Sequence, residues 1–177
     1  MVNYISSIFK QDVYKNLLET SDGICIDNGK EYIDFDKFIE NLYSQNILLG
    51  EFISSCDTLL LEKDKNHIIF VEFKDMNSSS SEDTLNKWWK DKSRSIYLKI
   101  TDSTFALSYY LKNHHNKSYD DFMNVSKSFF YVYKSDNFKN KIHSHLKYKF
   151  SRYDFLFKNI KSIESRQFEK FLEYHKL

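Results

Sequence analysis

Apolar positions along this chain follow two rhythms. Between Cys56 and Asp75 they come in two nearly unbroken runs, 59–61 and 68–71, separated by the polar Lys63-Asp64-Lys65-Asn66. Such runs predict two strands joined in a hairpin and buried on both faces at the centre of a sheet. Residues 128–133, apolar almost throughout, predict another central strand. Shorter apolar stretches predict strands at 47–53, leading into the hairpin, at 32–35 and from 153. Elsewhere the spacing is helical. Ile5, Ile8, Phe9, Val13, Leu17 and Leu18 predict an amphipathic helix over 4–19. Phe38, Ile39, Leu42 and Tyr43 predict another over 36–46, with Asp36 as its cap. The serine-rich stretch 77–83 reads as a loop, after which Asp83 or Thr84 caps a long helix. That helix runs through Ile96, Tyr97 and Ile100 and resumes at 105–111. A basic helix is expected over 137–150 and a last one over 165–175, the latter burying Phe168, Phe171 and Leu172.

Charges punctuate the central hairpin at one end. Asp57 opens its first strand, and Glu72 and Lys74 close the second. Alternation puts Glu72 and Lys74 on one face with Phe73 on the other, and antiparallel pairing brings Asp57 beside Glu72. Charges taken from water are costly unless a partner compensates. Two carboxylates and the backbone carbonyl of Phe73 form an oxygen donor set that suits Mg²⁺. Lys74 would then position a water or stabilise developing negative charge. The alternative is an exposed Glu72–Lys74 ion pair, contributing at most about 1 kcal/mol, with Asp57 as a turn residue.

This arrangement resembles the active site of the PD-(D/E)xK nuclease superfamily, the restriction-endonuclease-like fold. Asp57 matches its strand-opening Asp, and Glu72-Phe73-Lys74 matches its Glu-x-Lys. Cys56 stands where a Pro often precedes the Asp. The resemblance covers about residues 36–134. It implies an α/β fold, a mixed central β-sheet flanked by helices with an αβββαβ core. Residues 1–177 would then be a single nuclease-like domain, with an N-terminal helix before the core and a basic helical extension after it. It further implies a metal-dependent nuclease that hydrolyses phosphodiester bonds, in DNA ahead of RNA, in restriction, repair or defence. Asp57, Glu72 and Phe73 would hold Mg²⁺ or Mn²⁺, and Lys74 would serve catalysis. Glu40, on the helix before the sheet, fits a further acidic ligand. Glu51 is its rival, and a solvated helix charge is the alternative for Glu40 itself. The other function class is the same fold with an unused site, binding nucleic acid or a protein partner. A chain this short has little room for a separate specificity domain, which favours dependence on a partner, another protein or a second copy in a homodimer, or else structure-specific recognition.

Composition narrows the setting. At 41% hydrophobic and 18% aromatic residues, the 177-residue chain has the means to build a core, which excludes wholesale disorder. Proline is absent and glycine occurs three times, but the excess of Lys, Asn, Ile, Phe and Tyr points to AT-rich coding, so missing helix breakers carry little structural information. Cys25 and Cys56 form no disulfide framework, no signal peptide is evident, and no apolar run reaches the ~20 residues of a membrane span. A cytoplasmic chain without a membrane partner is expected.

The net charge of +1 hides an asymmetry: residues 101–177 hold 14 Lys and Arg against 8 Asp and Glu, whereas residues 1–100 hold 12 against 17. A basic half suits a phosphate backbone, and it equally suits an ordinary solvated surface. Candidate nucleic-acid contacts are Lys87, Lys90 and Arg94, beside Trp88 and Trp89, and Lys147, Lys149 and Arg152 on the later basic helix. The bland alternative has the tryptophans in the core and the lysines in water. His114-His115 and His143-Ser144-His145 invite a zinc or HNH-nuclease reading, but no Cys lies near enough to complete a familiar ligand pattern, and the tails of a polar loop and a basic helix explain them more simply.

Overall fold

A computed structural model of the chain describes residues 1–76, 81–134, 140, 143, 144 and 153–177, the side chains of 88, 89 and 91–93 aside. In chain order its elements are α1 (Val2–Ile8), β1 (Tyr14–Asn16), α2 (Leu17–Thr20), β2 (Glu31–Asp34), α3 (Phe35–Ser44), β3 (Thr58–Glu62) and β4 (His67–Asp75). There follow α4 (Glu82–His115), α5 (Tyr119–Met123), β5 (Ser126–Lys134), β6 (Asn159–Glu164) and α6 (Ser165–His175).

Among the described residues the strands form one six-stranded mixed sheet in the order β1-β2-β3-β4-β5-β6. β1 to β4 pair antiparallel, and β5 and β6 run parallel to β4. The chain is therefore α/β with helices flanking a mixed sheet. The tight turn between β3 and β4 allows antiparallel pairing, whereas the parallel step to β5 needs the crossover that α4 supplies. Asn66 closes the hairpin turn in the left-handed region, φ 46°, which Asn tolerates better than most residues.

Alternation on the central strands sends apolar side chains into two cores. Leu59, Ile68, Phe70, Phe129 and Tyr131 pack with α1, α3 and α4. Leu60, Ile69, Val71, Phe73, Phe130 and Val132 pack on the opposite face with Leu17 of α2 and Phe168 and Leu172 of α6. The near-continuous apolar runs have this cause: both faces of β4 and β5 are covered.

Several expectations are corrected here. Residues 4–19 do not form one helix: α1 ends at Ile8, and Tyr14–Asn16 pairs with β2 as an edge strand. Asp34, not Asp36, caps α3, accepting from the Lys37 N–H at 2.9 Å. Residues 47–53 form no strand. Tyr43 holds that stretch instead, its hydroxyl donating to the Glu51 carbonyl at 2.7 Å and accepting from the Ile53 N–H at 3.1 Å. β2 takes the place beside β3. The strand expected from Tyr153 is a turn, and the sheet gains Asn159–Glu164 instead. α4 continues unbroken through 101–104 for 34 residues, because Thr101 and Thr104 satisfy their hydroxyls on preceding carbonyls of the same helix. Ser81 caps it, accepting from the Thr84 N–H. The basic helix expected over 137–150 lies largely outside the described residues. Among those residues no helix is long and apolar enough to cross a membrane.

Candidate functional site

Asp57 stands one residue before β3, at the end of a segment tied to α4. The Cys56 N–H donates to Ser103 Oγ at 2.8 Å, the Cys56 thiol to the Lys99 carbonyl at 3.6 Å, and the Ser54 N–H to Asp102 Oδ2 at 3.3 Å. This seam brings Asp57 and Lys99 to one place. Asp57 Oδ2 accepts from the Phe73 N–H at 2.6 Å, and Oδ1 lies 3.2 Å from Lys99 Nζ. The same Nζ is 2.8 Å from Glu72 Oε2. Because both bonds share one nitrogen, the two carboxylates lie within the sum of those lengths of each other. The expected meeting of Asp57 and Glu72 is therefore present, around an ammonium that comes from α4.

Asp36 adds a third carboxyl from the first turn of α3, receiving a hydrogen bond from the Ser55 hydroxyl. Burial pushes its pKa up to about 6, and the charge of Asp57 adds to the rise against the Ser55 bond. Burial also raises Asp57, more than Lys99 and the Phe73 N–H lower it. Glu72, 6% exposed, is held well above the usual carboxylate range, by burial first and then by Asp57. For Lys99 the order reverses: burial disfavours its charge, but Glu72 and Asp57 outweigh that and raise it. Beside Glu72 in register stands Tyr131, 1% exposed, whose hydroxyl has no hydrogen-bond partner among the described residues. An orphaned buried hydroxyl costs about 1–3 kcal/mol.

The group opens through Asp57 and Asp36 into a cavity of 190 Å³, also lined by Glu19, Asp22, Asp34 and Glu40, with Lys15 and Lys37 as its cations. Lys15 is taken by Asp34 at 2.5 Å and Lys37 by Glu40 at 3.0 Å. The mouth is acidic.

The remaining expected residues fall as follows. Lys74 shares the Glu72 face of β4 and is half-buried at the strand's end. The Phe73 side chain enters the second core while its N–H holds Asp57. Glu40 is exposed on the rim of the cavity, and exposed Glu51 is outside its lining. Lys87, Lys90 and Arg94 are exposed along the first turns of α4, spaced three and four apart so that they share one stripe. Lys147, Lys149, Arg152 and His145 lie outside the described residues. Of the other histidines weighed for zinc, His114 and His115 lie against Tyr110, and His143 bonds the Tyr133 hydroxyl at 3.1 Å and Ser162. Among the described residues, no three His, Cys, Asp or Glu side chains are grouped as a ready-made metal site.

Compared with known proteins, the chain matches no family model, no curated protein and no solved structure.

Three participants escaped the sequence reading: Lys99, Asp36 as more than a cap, and Tyr131. Lys99 was the most legible. It lies three residues after Ile96 and four before Ser103, both buried, so helical spacing turns it inward.

Proposed function

We propose that this chain is a metal-dependent nuclease of the restriction-endonuclease-like kind, hydrolysing phosphodiester bonds in nucleic acid, DNA ahead of RNA. One observation carries the reading: Asp57 and Glu72 share a single ammonium, and a third carboxyl, Asp36, lines the adjoining cavity with Asp57. One positive charge does not balance three carboxyls, and the acidic cavity beyond them adds to the pull on cations. The donors are all oxygen, which fits Mg²⁺ or Mn²⁺. Asp57, Glu72 and the Phe73 carbonyl would hold the ion, with Asp36 as a further acid inside the cleft and Glu40 at its rim. Bound there, a divalent cation polarises a phosphate and makes water more acidic.

Lys74, on the Glu72 face, would place positive charge where the phosphate gains negative charge. Lys87, Lys90 and Arg94 would grip the backbone away from the acidic mouth, together with Lys147, Lys149 and Arg152. The family's core would run β2, β3, β4, α4, β5, with α3 inserted between β2 and β3.

The test is cleavage of labelled DNA and RNA with EDTA, Mg²⁺ or Mn²⁺, using the natural chain and Asp57→Asn. Cleavage with metal alone, lost in the variant, supports the proposal. A natural chain that cuts nothing in either metal overturns it.

A second reading, a binding module with an unused site, draws on the same lysine. Lys99 already satisfies an oxygen of each carboxylate, as a structural ion cluster would. That reading expects metal-independent nucleic-acid or protein binding that Asp57→Asn leaves unchanged.

A further inference from the structure

We infer that Lys99 is a built-in competitor for the cation this site takes, so that loading a divalent ion requires its ammonium to give way. The inference rests on the proposed metal site and adds what controls its occupancy. An ion held by Asp57 and Glu72 together would draw on the two carboxylates whose Oδ1 and Oε2 Lys99 Nζ already bonds, at 3.2 and 2.8 Å. The two cations compete for those carboxylates.

The side chain is built to be displaced while its backbone stays. Ile96 and Ile100, 3% and 1% exposed, anchor α4 around Lys99, and the Cys56 thiol holds the Lys99 carbonyl. The lysine side chain is 23% exposed and so has room to move, and Asp36, in the cavity that Asp57 also lines, is a further carboxyl acting on its charge. The acids are not the only sign that the site is incomplete. Tyr131, paired in register with Glu72, keeps a buried hydroxyl without a partner among the described residues. A cation carrying water, or a substrate oxygen, would bring an acceptor or donor within its reach.

Competition of this kind also selects by charge. A monovalent ion would exchange one positive charge for another and forfeit two hydrogen bonds. A divalent ion brings a second charge to carboxyls that one ammonium leaves unbalanced. Lys99 therefore makes the site weak toward monovalent ions and sets a threshold concentration for divalent ones.

Mn²⁺ binding, read by electron paramagnetic resonance and by the rise in melting temperature on adding Mn²⁺, tests this on the full chain, Lys99→Gln and Asp57→Asn. Glutamine keeps an amide donor for one carboxylate, so the variant is the one most able to fold; the melting curve reports folding in the same experiment. The expected result is Mn²⁺ binding at least tenfold tighter in Lys99→Gln, with a larger rise in melting temperature, and loss of both in Asp57→Asn. Binding by the natural chain with an unchanged or weaker affinity in Lys99→Gln overturns the competition and leaves the metal site standing. No Mn²⁺ binding by any of the three overturns the site and the competition together.

Discussion

The Phe73 N–H donates to Asp57 Oδ2 at 2.6 Å, across the open end of the β3–β4 hairpin. One backbone hydrogen bond thus fixes the lone aspartate against the middle of the Glu72-Phe73-Lys74 tripeptide. Removing the carboxylate leaves that N–H unpaired and takes a partner from Lys99. Asp57→Ala should therefore lose about 1–3 kcal/mol in urea denaturation. Asp57→Asn, which keeps an acceptor oxygen, should lose less. Under the proposed function both abolish metal-dependent cleavage, so activity and stability separate only in the asparagine variant. Equal destabilisation by the two would mean that the Phe73 bond is not what holds Asp57.

The two lysines differ in what their removal exposes. Lys99→Ala strips Glu72 of its ammonium partner in a buried setting, and breaking such a pair costs about 3–5 kcal/mol. Lys74→Ala, at the half-buried end of β4, should cost under about 1 kcal/mol and act on cleavage instead. Melting curves for the two variants check this. A Lys74 variant as unstable as the Lys99 variant would show that Lys74 shares the ion cluster.

A pH dependence should arise at the other end of the hairpin. Burial works to raise Glu62, but Lys65 at 2.6 Å, His67 at 2.5 Å and His175 at 2.6 Å outweigh it and hold its pKa at about 2. A carboxyl held below its ordinary value of 4.5 stabilises the fold fully above that value. The contribution fades as pH falls from about 4.5 towards 2. Above pH 5 the natural chain should exceed Glu62→Gln by about 1–2 kcal/mol, discounted for solvent around exposed Lys65. The gap should close near pH 2. A gap constant from pH 6 to 2.5 would exclude this origin.

The exposed stripe of α4 makes an electrostatic prediction. Neutralising Lys87, Lys90 and Arg94 together should lower the slope of log affinity against log salt by about 0.9 per lost contact on duplex DNA, or about 0.7 on a single strand. Cleavage at saturating substrate should change little. An unchanged slope would mean that the stripe meets only water.

The legible parts were those where one periodicity served one environment. The β3–β4 hairpin, β5 and α6 each carry a burial pattern that only one element type can produce, and Ser165–His175 coincides with its expected bounds. At 47–53 local apolarity misled, because Leu49 and Phe52 are 78% and 71% exposed and the Tyr43 hydroxyl takes the backbone bonds a strand would have made. β1 and β6 were hidden by polarity: Tyr14-Lys15-Asn16 and much of 159–164 are only partly buried, as sheet edges allow. The pairing of Asp57 with Glu72 followed from alternation within one hairpin. Lys99 depended on how a helix 42 residues farther along the chain docks, which no local pattern encodes, although its inward position was readable.

The bond between the Cys56 thiol and the Lys99 carbonyl turns an inert cysteine into a gauge. Burial, and next the nearby Glu72, keep this thiol protonated and far above its ordinary pKa, so a thiol reagent meets nothing reactive while the β3–α4 seam is closed. Its alkylation rate, told apart from that of Cys25 by peptide mass, clocks how often strand and helix part. A cation that moved only the tip of Lys99 would leave that clock unchanged, whereas one that shifted α4 bodily would speed it.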